Sequence, residues 1–429
     1  MASPSPAAPT AAQEWRLHGM LVFTGLIGVS VGTIPAATLG LFMEPLQATF
    51  GWSRLQISLG LTIFAVVGLP LVPLAGVLVD RFGPRRVALP GLLFSALTLA
   101  GFSLLTSSYM QWLLTWTLYT LASTGARMLV WNTAISRVFV RSRGLAIAVL
   151  LCGSALATAL APVVTHWMIG SFGWRGAYLG LGFGWAGIAL LMAVIFFRER
   201  PAERLAANAA AARATTVLPG GISVREAFHS VRFYRITLAI FLQCCMGAAI
   251  TVHLVPMLAA FGLSRTEAAG MAAILGTGSI AGKLASGWLV DRFTGPVIPL
   301  LSFGGPAIGY LMILYGGGST LMLSLAVFAL GYAQGATLQL ATYLTTRYAG
   351  MRNFGTIFGF VSAFMALSAG VGPPLAGWIF DRTGSYSLLL TGAIPQALIC
   401  ALLMFRLGRY PVFATDPDIS EPAPAVAKA

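Results

Sequence analysis

The chain has 429 residues, of which 57% are hydrophobic and only 9% are charged. Because so few charged side chains cannot cover a globular surface, this composition excludes a soluble protein and predicts a membrane protein. The net charge of +14 would also suit nucleic-acid binding, and the distribution of the cations along the chain decides between the two meanings.

Long apolar runs divide the chain into membrane-spanning segments. A helix needs about 20 apolar residues to cross a bilayer, and the chain contains twelve such runs, six in each half. They are continuously apolar, whereas the strands of a membrane β-barrel alternate over about ten residues. The sequence therefore predicts an all-α membrane protein with twelve transmembrane helices. The predicted spans are 17–42, 56–79, 87–106, 110–136, 144–168, 176–197, 234–259, 267–290, 297–315, 321–346, 355–378 and 386–405.

The turn after the second span is repeated in the second half of the chain. Residues 76–82 read Gly-Val-Leu-Val-Asp-Arg-Phe and residues 287–293 read Gly-Trp-Leu-Val-Asp-Arg-Phe, an offset of 211 residues that also relates Pro45 to Pro256. The chain thus contains two copies of a six-helix unit, repeated in the same orientation. The predicted domains are a disordered tail at 1–16, a bundle at 17–197, a cytoplasmic linker at 198–233, a second bundle at 234–405 and a cytoplasmic tail at 406–429.

The cations are concentrated on one side of the predicted membrane. Of the 26 lysines and arginines, 20 lie in segments on the same side as the N-terminus, and four lie on the opposite side: Arg54, Arg175, Arg265 and Arg382. Because positively charged loops stay in the cytoplasm, both termini are predicted to be cytoplasmic. The basicity therefore indicates orientation and not nucleic-acid binding, and the Ala/Arg-rich composition favours a bacterial inner membrane.

The twelve spans, the parallel repeat, the central linker and the motif around Asp80 resemble the major facilitator superfamily. Within it, the segments Phe50–Arg54, Arg143–Ala146 and Gly372–Pro374 are similar to the branch of monocarboxylate porters and oxalate/formate antiporters. The resemblance implies two six-helix bundles that rock about a substrate site near the membrane midplane.

Three positions depart from that branch. The lysine that monocarboxylate porters place after the span 1 proline is missing, since Ala36 follows Pro35, and Ser279 stands where an aspartate precedes the span 8 cation. Span 11 also lacks the lysine of the oxalate/formate antiporter. The substrate and the coupling ion therefore cannot be transferred from either relative.

Two cations lie deep inside predicted spans. Arg127 precedes Arg137 by ten residues, roughly 15 Å along a helix, and Lys283 precedes Asp291 by eight residues, roughly 12 Å. No Asp or Glu lies mid-span in either half, so both are predicted to contact an anionic substrate. The resemblance also implies this role for Lys283, which matches the span 8 cation of the carboxylate porters.

Other polar side chains at helical spacing are predicted to complete the substrate site, although each could instead form a bond between helices. They are Trp131, Asn132, Gln243, Gln339 and Tyr343. His253 could carry a coupled proton because the pKa of an unperturbed imidazole lies near neutrality, and Glu44 is a second possibility; a structural or gating role for His253 is equally compatible.

The resemblance further implies a latch at the cytoplasmic ends of the helices. In it, a carboxylate meets a helix N-terminus or a basic side chain of a neighbouring helix and favours the outward-open state. The residues assigned to this latch are Asp80, Arg81, Arg85, Asp291, Arg292, Arg141 and Arg352.

The sequence thus predicts a secondary transporter for a small organic anion, coupled to protons or a counter-anion, embedded in the lipid bilayer and functional as a monomer. No motif predicts a cofactor or a nucleotide site, and the four cysteines lack metal-ligand spacing, so neither a cofactor nor a metal nor an enzymatic activity is expected. A receptor built on a transporter fold and an efflux transporter for a lipophilic or aromatic compound are the alternatives.

Overall fold

The computed structural model describes residues 10–139, 141–197, 220–293, 297–316, 319–350, 352–405, 407–408 and 410–411. These residues are almost entirely helical. The helices of the first half are α1 (Ala11–Phe50), α2 (Arg54–Phe82), α3 (Pro84–Gly101), α4 (Tyr109–Ser123), α5 (Met128–Val138), α6 (Arg143–Leu179) and α7 (Gly187–Phe196). Those of the second half are α8 (Val224–His229), α9 (Val231–Ala260), α10 (Arg265–Arg292), α11 (Val297–Gly304), α12 (Pro306–Tyr315), α13 (Thr320–Ala349), α14 (Phe354–Thr383) and α15 (Ser387–Met404).

Ten helical segments among the described residues are long and apolar enough to cross a membrane. One of them, Arg143–Phe196, contains two of the predicted spans and is interrupted at Gly173, whose φ of 71° and ψ of 173° leave the helical region. The predicted span 110–136 is not among the ten, because a 3₁₀ turn at Thr124–Ala126 separates α4 from α5. The integral membrane character is therefore clear, and the count of twelve spans stays a prediction.

The first helix starts earlier than the sequence indicated. Residues 11–16, which were assigned to a disordered tail, form the first turns of α1, because the Thr10 hydroxyl accepts from the Gln13 backbone N–H and the Gln13 side chain accepts from the Thr10 backbone. Glu14 is then buried and accepts hydrogen bonds from the backbone N–H groups of Arg141 and Ser142, each at 3.0 Å. This carboxylate therefore holds the start of α6 against α1.

Each half of the chain has its own hydrophobic interior. Among the described residues, two buried clusters come mainly from helices α1 to α7 and two more from helices α8 to α15; of the buried residues described, Val252 of the second half joins a first-half cluster. Among the described residues, the halves meet chiefly along the helix pairs α1 with α9, α2 with α14 and α6 with α10. The two halves can therefore separate or close at the ends of these six helices.

The described end of the predicted linker is fixed to the turn between α13 and α14. The Ile222 backbone N–H donates to the Ala349 carbonyl at 3.0 Å, and the Asn353 amide donates to the Ile222 carbonyl at 3.0 Å. Residues 220–233 are thus ordered, with α8 and the start of α9 inside them, whereas residues 198–219 lie outside the described residues.

Candidate functional site

The break between α4 and α5 positions Arg127. The segment Ser123–Gly125 contains weak helix formers, and Arg127 takes an extended conformation, with φ −65° and ψ 154°, before α5 begins. Gly91 of α3 permits the break to lie close, since a Cβ at Gly91 would meet the backbone of Gly125. The sequence did not predict this discontinuity, which turns Arg127 away from the regular helical course.

Arg127 lies against α2 with few partners. Its guanidinium carbon is 5.5 Å from the centre of the Phe64 ring, and a Cβ at Gly68 would collide with Nη2. The Nε and Nη2 atoms are both buried, and neither has a hydrogen-bond acceptor among the described residues. Such donors are costly to leave unsatisfied in a low-dielectric interior, so they are suited to an acceptor supplied by a ligand.

Lys283 lies on the contact between the two halves. Its Nζ donates to the Ser154 hydroxyl at 3.1 Å and lies 3.4 Å from the Leu151 carbonyl oxygen, both on α6. These acceptors are uncharged. Within the described part of the chain, neither Lys283 nor Arg127 forms an ion pair with a carboxylate.

The other predicted substrate residues occupy different surroundings. Trp131 is fully buried, packs on Gly25 and Gly28 of α1, and donates its indole N–H to the Ala126 carbonyl at 3.2 Å. Its side chain therefore holds the α4/α5 break in place. Asn132, on the next position of α5, keeps a buried Oδ1 atom that has no partner among the described residues.

The described contacts do not bring the three predicted residues of the second half, Gln243, Gln339 and Tyr343, together at one point. Gln243 is 3% exposed with an unsatisfied Oε1, and Gln339 is half-buried. Tyr343 packs edge-on against Tyr410, with ring centres 6.1 Å apart, and the Arg347 guanidinium lies 5.6 Å from its ring. The Gln243 Oε1 atom and the Tyr343 hydroxyl are both buried without a hydrogen-bond partner among the described residues, so both are suited to a ligand, although the Tyr343 ring also packs on Tyr410.

At one end of the bundle the two halves are clasped together. We call it the Trp52 end, because it carries the turns at 51–53, 261–264 and 384–386, and we call the opposite end, with Gly83, the Gly83 end. Asp381 of α14 accepts from the Arg54 and Leu55 backbone N–H groups, at 3.0 and 2.8 Å. A carboxylate of the second half therefore caps α2 of the first half.

His253 connects both halves beneath this cap. Its Nε2 lies 3.0 Å from the Pro373 carbonyl oxygen, which can only accept, so Nε2 carries the hydrogen, with the Ser58 hydroxyl 3.4 Å away. The Tyr386 hydroxyl then donates to Nδ1 at 2.8 Å and accepts from Arg54. His253 is fully buried, and its bonds to Pro373 and Tyr386 lie within the second half; the link to the first half runs through the Ser58 contact and through the bond that Arg54 donates to Tyr386.

Prolines free two carbonyl groups that complete this closure. Pro374 cannot donate to Gly370, and the Gly370 carbonyl accepts from the Thr62 hydroxyl of α2. In the same way Pro256 leaves the Val252 carbonyl without its helical donor, and Gly40 of α1 packs so closely on it that a Cβ there would overlap the oxygen. Glu44 forms an exposed ion pair with Arg265 nearby.

The contacts that join the halves between described residues run from Lys283 to the Trp52 end. Gly276 packs on Ala155 and Ala159, where an added Cβ would lie 2.6–2.9 Å from their atoms, and His166 bonds Thr266 at 3.2 Å. The structure therefore represents the state in which the Trp52 end is closed.

The residues assigned to the cytoplasmic latch all lie at the Gly83 end. Asp80 is exposed and has no ion pair among the described residues, and Arg85 donates to the Val194 carbonyl at 3.4 Å. Arg81 and Arg292 lie over the Phe82 and Trp288 rings, whereas Arg141 and Arg352 are exposed and contribute backbone N–H groups to Glu14 and Gly220. The Asp291 side chain is outside the described atoms.

Sequence reasoning missed the residues that close the Trp52 end. Arg54 was placed on the side opposite the N-terminus, but its partner Asp381 is 327 positions away, and no local pattern pairs them. Glu14 was hidden in the predicted tail. Pro374 and Pro256 were the available signals, because a proline inside a helix always leaves one carbonyl free for another donor.

Among curated proteins, monocarboxylate transporters are similar to this chain. The chain is 29% identical over 340 residues to monocarboxylate transporter 13 of Bos taurus, covering 75% of this chain and 73% of that protein. It is 27% identical over 404 residues to monocarboxylate transporter 11 of Mus musculus, covering 90% and 85%.

Solved structures share the architecture at low identity. A D-xylose–proton symporter superposes with a TM-score of 0.72 at 14% identity, covering 91% of this chain and 98% of its own. The nucleoside transporter NupG gives a TM-score of 0.73 at 12% identity, covering 92% and 100%. A family profile described as Major Facilitator Superfamily matches residues 24–373 and, in a second alignment, 237–428. With this match over most of its length, the chain belongs to the major facilitator superfamily of transporters.

Proposed function

We propose that this protein is a secondary active transporter that moves a small monocarboxylate-like anion across the membrane by alternating access, through proton symport or anion exchange. The observation that carries the proposal is the pair of cations, Arg127 and Lys283, that have no carboxylate partner among the described residues. Relatives named monocarboxylate transporters support the same substrate class.

Electrostatics favours an anion at these side chains. A charge removed from water without a counter-charge is unfavourable by several kcal/mol, an order of magnitude that a bound carboxylate can offset. Hydrogen bonds between ionised partners are roughly twice as strong as neutral ones. The unsatisfied N–H groups of Arg127 and the ammonium of Lys283, released from its neutral acceptors on α6, would supply donors to both oxygens of a carboxylate.

Transport requires the site to open to each side in turn. With the termini in the cytoplasm of a bacterial cell, the Trp52 end faces outward, so the closed clasp at Asp381 and His253 blocks the outer path. Separation of the two bundles, each with its own core, would break this clasp and expose the site outward. One chain contains both bundles, so a monomer suffices.

Proton coupling requires a side chain that can accept a proton and that lies where the two halves separate. The lysine and aspartate of the monocarboxylate porters are replaced by Ala36 and Ser279, so a coupled proton needs another acceptor. His253 and Glu44 are the proposed acceptors, because both lie where the halves separate at the Trp52 end. Exchange of one anion for another needs neither.

The latch at the Gly83 end belongs to the state in which the Gly83 end is closed and the Trp52 end is open. In this proposal Asp80 and Asp291 engage Arg141, Arg352 or a helix N-terminus when that end closes. Arg81, Arg85 and Arg292 stabilise the turns that carry these carboxylates. The exposed position of Asp80 here agrees with a latch that is not engaged.

Binding of carboxylates to the purified protein tests the proposal. We expect small monocarboxylates to raise the apparent melting temperature of the wild-type protein, because a ligand that binds the folded state stabilises it. Lys283→Gln and Arg127→Gln should each abolish that shift, whereas Arg382→Gln, at an exposed cation outside the site, should keep it. Equal shifts in all four proteins would refute the assignment of the site.

A further inference from the structure

The hydrogen bond between Lys283 and Ser154 joins the two halves of the protein. Lys283 belongs to α10 in one half and Ser154 to α6 in the other, so their bond crosses the surface along which the halves separate. It lies farther from the Trp52 end than the packing of Gly276 on Ala155 and Ala159, another contact of the α6/α10 pair. Movement of one half relative to the other changes the distance between these two side chains, so the bond opposes that movement.

The Ser154 hydroxyl is oriented to accept. It donates its own hydrogen to the Leu151 carbonyl at 3.0 Å, which leaves a lone pair directed to the Lys283 ammonium. Leu151 offers the same ammonium a carbonyl oxygen at 3.4 Å. The cation is thus held by two neutral acceptors of the opposite half.

A carboxylate competes for the same ammonium. A hydrogen bond between ionised groups is roughly twice as strong as one with a neutral acceptor, so an anion near Lys283 draws the ammonium from Ser154. Loading of the substrate then removes one of the bonds that join α6 to α10. Without substrate the bond persists and holds the halves in the closed-at-Trp52 state.

We infer that Ser154 is a positioning residue that occupies Lys283 in the empty carrier and so couples reorientation to anion binding. The inference rests on the proposed function and specifies its transport mode. The empty protein changes state slowly, because Ser154 holds Lys283, and the loaded protein changes state quickly. Exchange of anions is accordingly faster than net uptake.

Transport by Ser154→Ala in proteoliposomes tests this inference. We expect the rate of net carboxylate uptake, divided by the rate of exchange, to rise about tenfold, the effect of losing one hydrogen bond to a charged group of about 1.5 kcal/mol. Half-saturation of exchange should occur at an equal or lower carboxylate concentration, because the hydroxyl no longer competes. A side chain that serves only packing would not change this ratio.

Thr158→Ala is the matched control, since its hydroxyl bonds the Ser154 carbonyl within α6 and does not cross to the other half. Its ratio should equal that of the wild type. An unchanged ratio in Ser154→Ala, or a rise in half-saturation that shows Ser154 to bind substrate, would overturn the inference. Failure of the proposed function is distinct, because the wild-type protein would then transport no carboxylate at all.

Discussion

Replacement of Asp381 by Asn should weaken the closed Trp52 end without unfolding α2. The first three backbone N–H groups of α2 are all satisfied in the structure, those of Arg54 and Leu55 by Asp381 and that of Gln56 by the Ser53 hydroxyl. The Ser53 capping box belongs to α2 itself and survives when the halves separate. The carboxylate of Asp381, in contrast, comes from the other half and contributes only in the closed state.

The size of the effect follows from these bonds. Loss of an N-terminal cap costs about 1 kcal/mol, and a negative charge at a helix N-terminus contributes about 0.3–1 kcal/mol. The Asp381 side chain is exposed, so solvent screening keeps the total near about 1 kcal/mol. The population ratio of closed to open Trp52 ends should therefore fall about fivefold in Asp381→Asn.

Distances between spin labels measure this ratio. Labels at the exposed positions Ala48 and Ser387, in a background without the four native cysteines, report separation of the halves at the Trp52 end. Asp381→Asn should increase the long-distance population, and Arg382→Asn, which removes the adjacent side chain from its place over the Trp378 ring, should not. Identical distance distributions for the wild type and Asp381→Asn would refute this reasoning.

Three further substitutions test other parts of the structure. Gly40→Ala places a Cβ on the Val252 carbonyl and should shift the same label distances towards the open state, whereas Gly32→Ala, with open space around its Cβ, should leave them unchanged. Tyr386→Phe removes a buried donor and should lower the free energy of unfolding by about 1–3 kcal/mol, seen as a lower apparent melting temperature; an unaltered melting curve would contradict the assigned bond. Asp80→Lys should impair transport with normal membrane insertion, measured by uptake and by protein content of the membrane, and full transport would exclude the latch.

Much of the architecture could be predicted from the sequence. The apolar runs depend on local composition and indicated membrane-spanning helices. The repeat of Asp80 at Asp291 depends on a fixed spacing and indicated two similar halves, in agreement with the family match. Gly173 lies in the gap between the predicted spans 144–168 and 176–197. Its backbone does leave the helical region, although the helices on either side are otherwise continuous.

The features that the sequence did not predict depend on contacts between distant segments. The α4/α5 break is stabilised by Gly91 and by the indole of Trp131, so an uninterrupted apolar run concealed it. Trp131 itself had been predicted at the substrate site as one of the polar side chains at helical spacing, but its indole N–H is used by the Ala126 carbonyl. The clasp of Asp381 on α2 exists only when the two halves meet, and no periodicity within either half encodes it.

Uptake of a labelled monocarboxylate into proteoliposomes, compared between the wild-type protein and Lys283→Gln, is the decisive measurement. If the cation holds the substrate carboxylate, the wild type will accumulate the anion, Lys283→Gln will not, and Arg382→Gln will match the wild type. Equal uptake by Lys283→Gln and the wild type would show that the anion crosses without this ammonium, and the proposed role of Lys283 would be wrong.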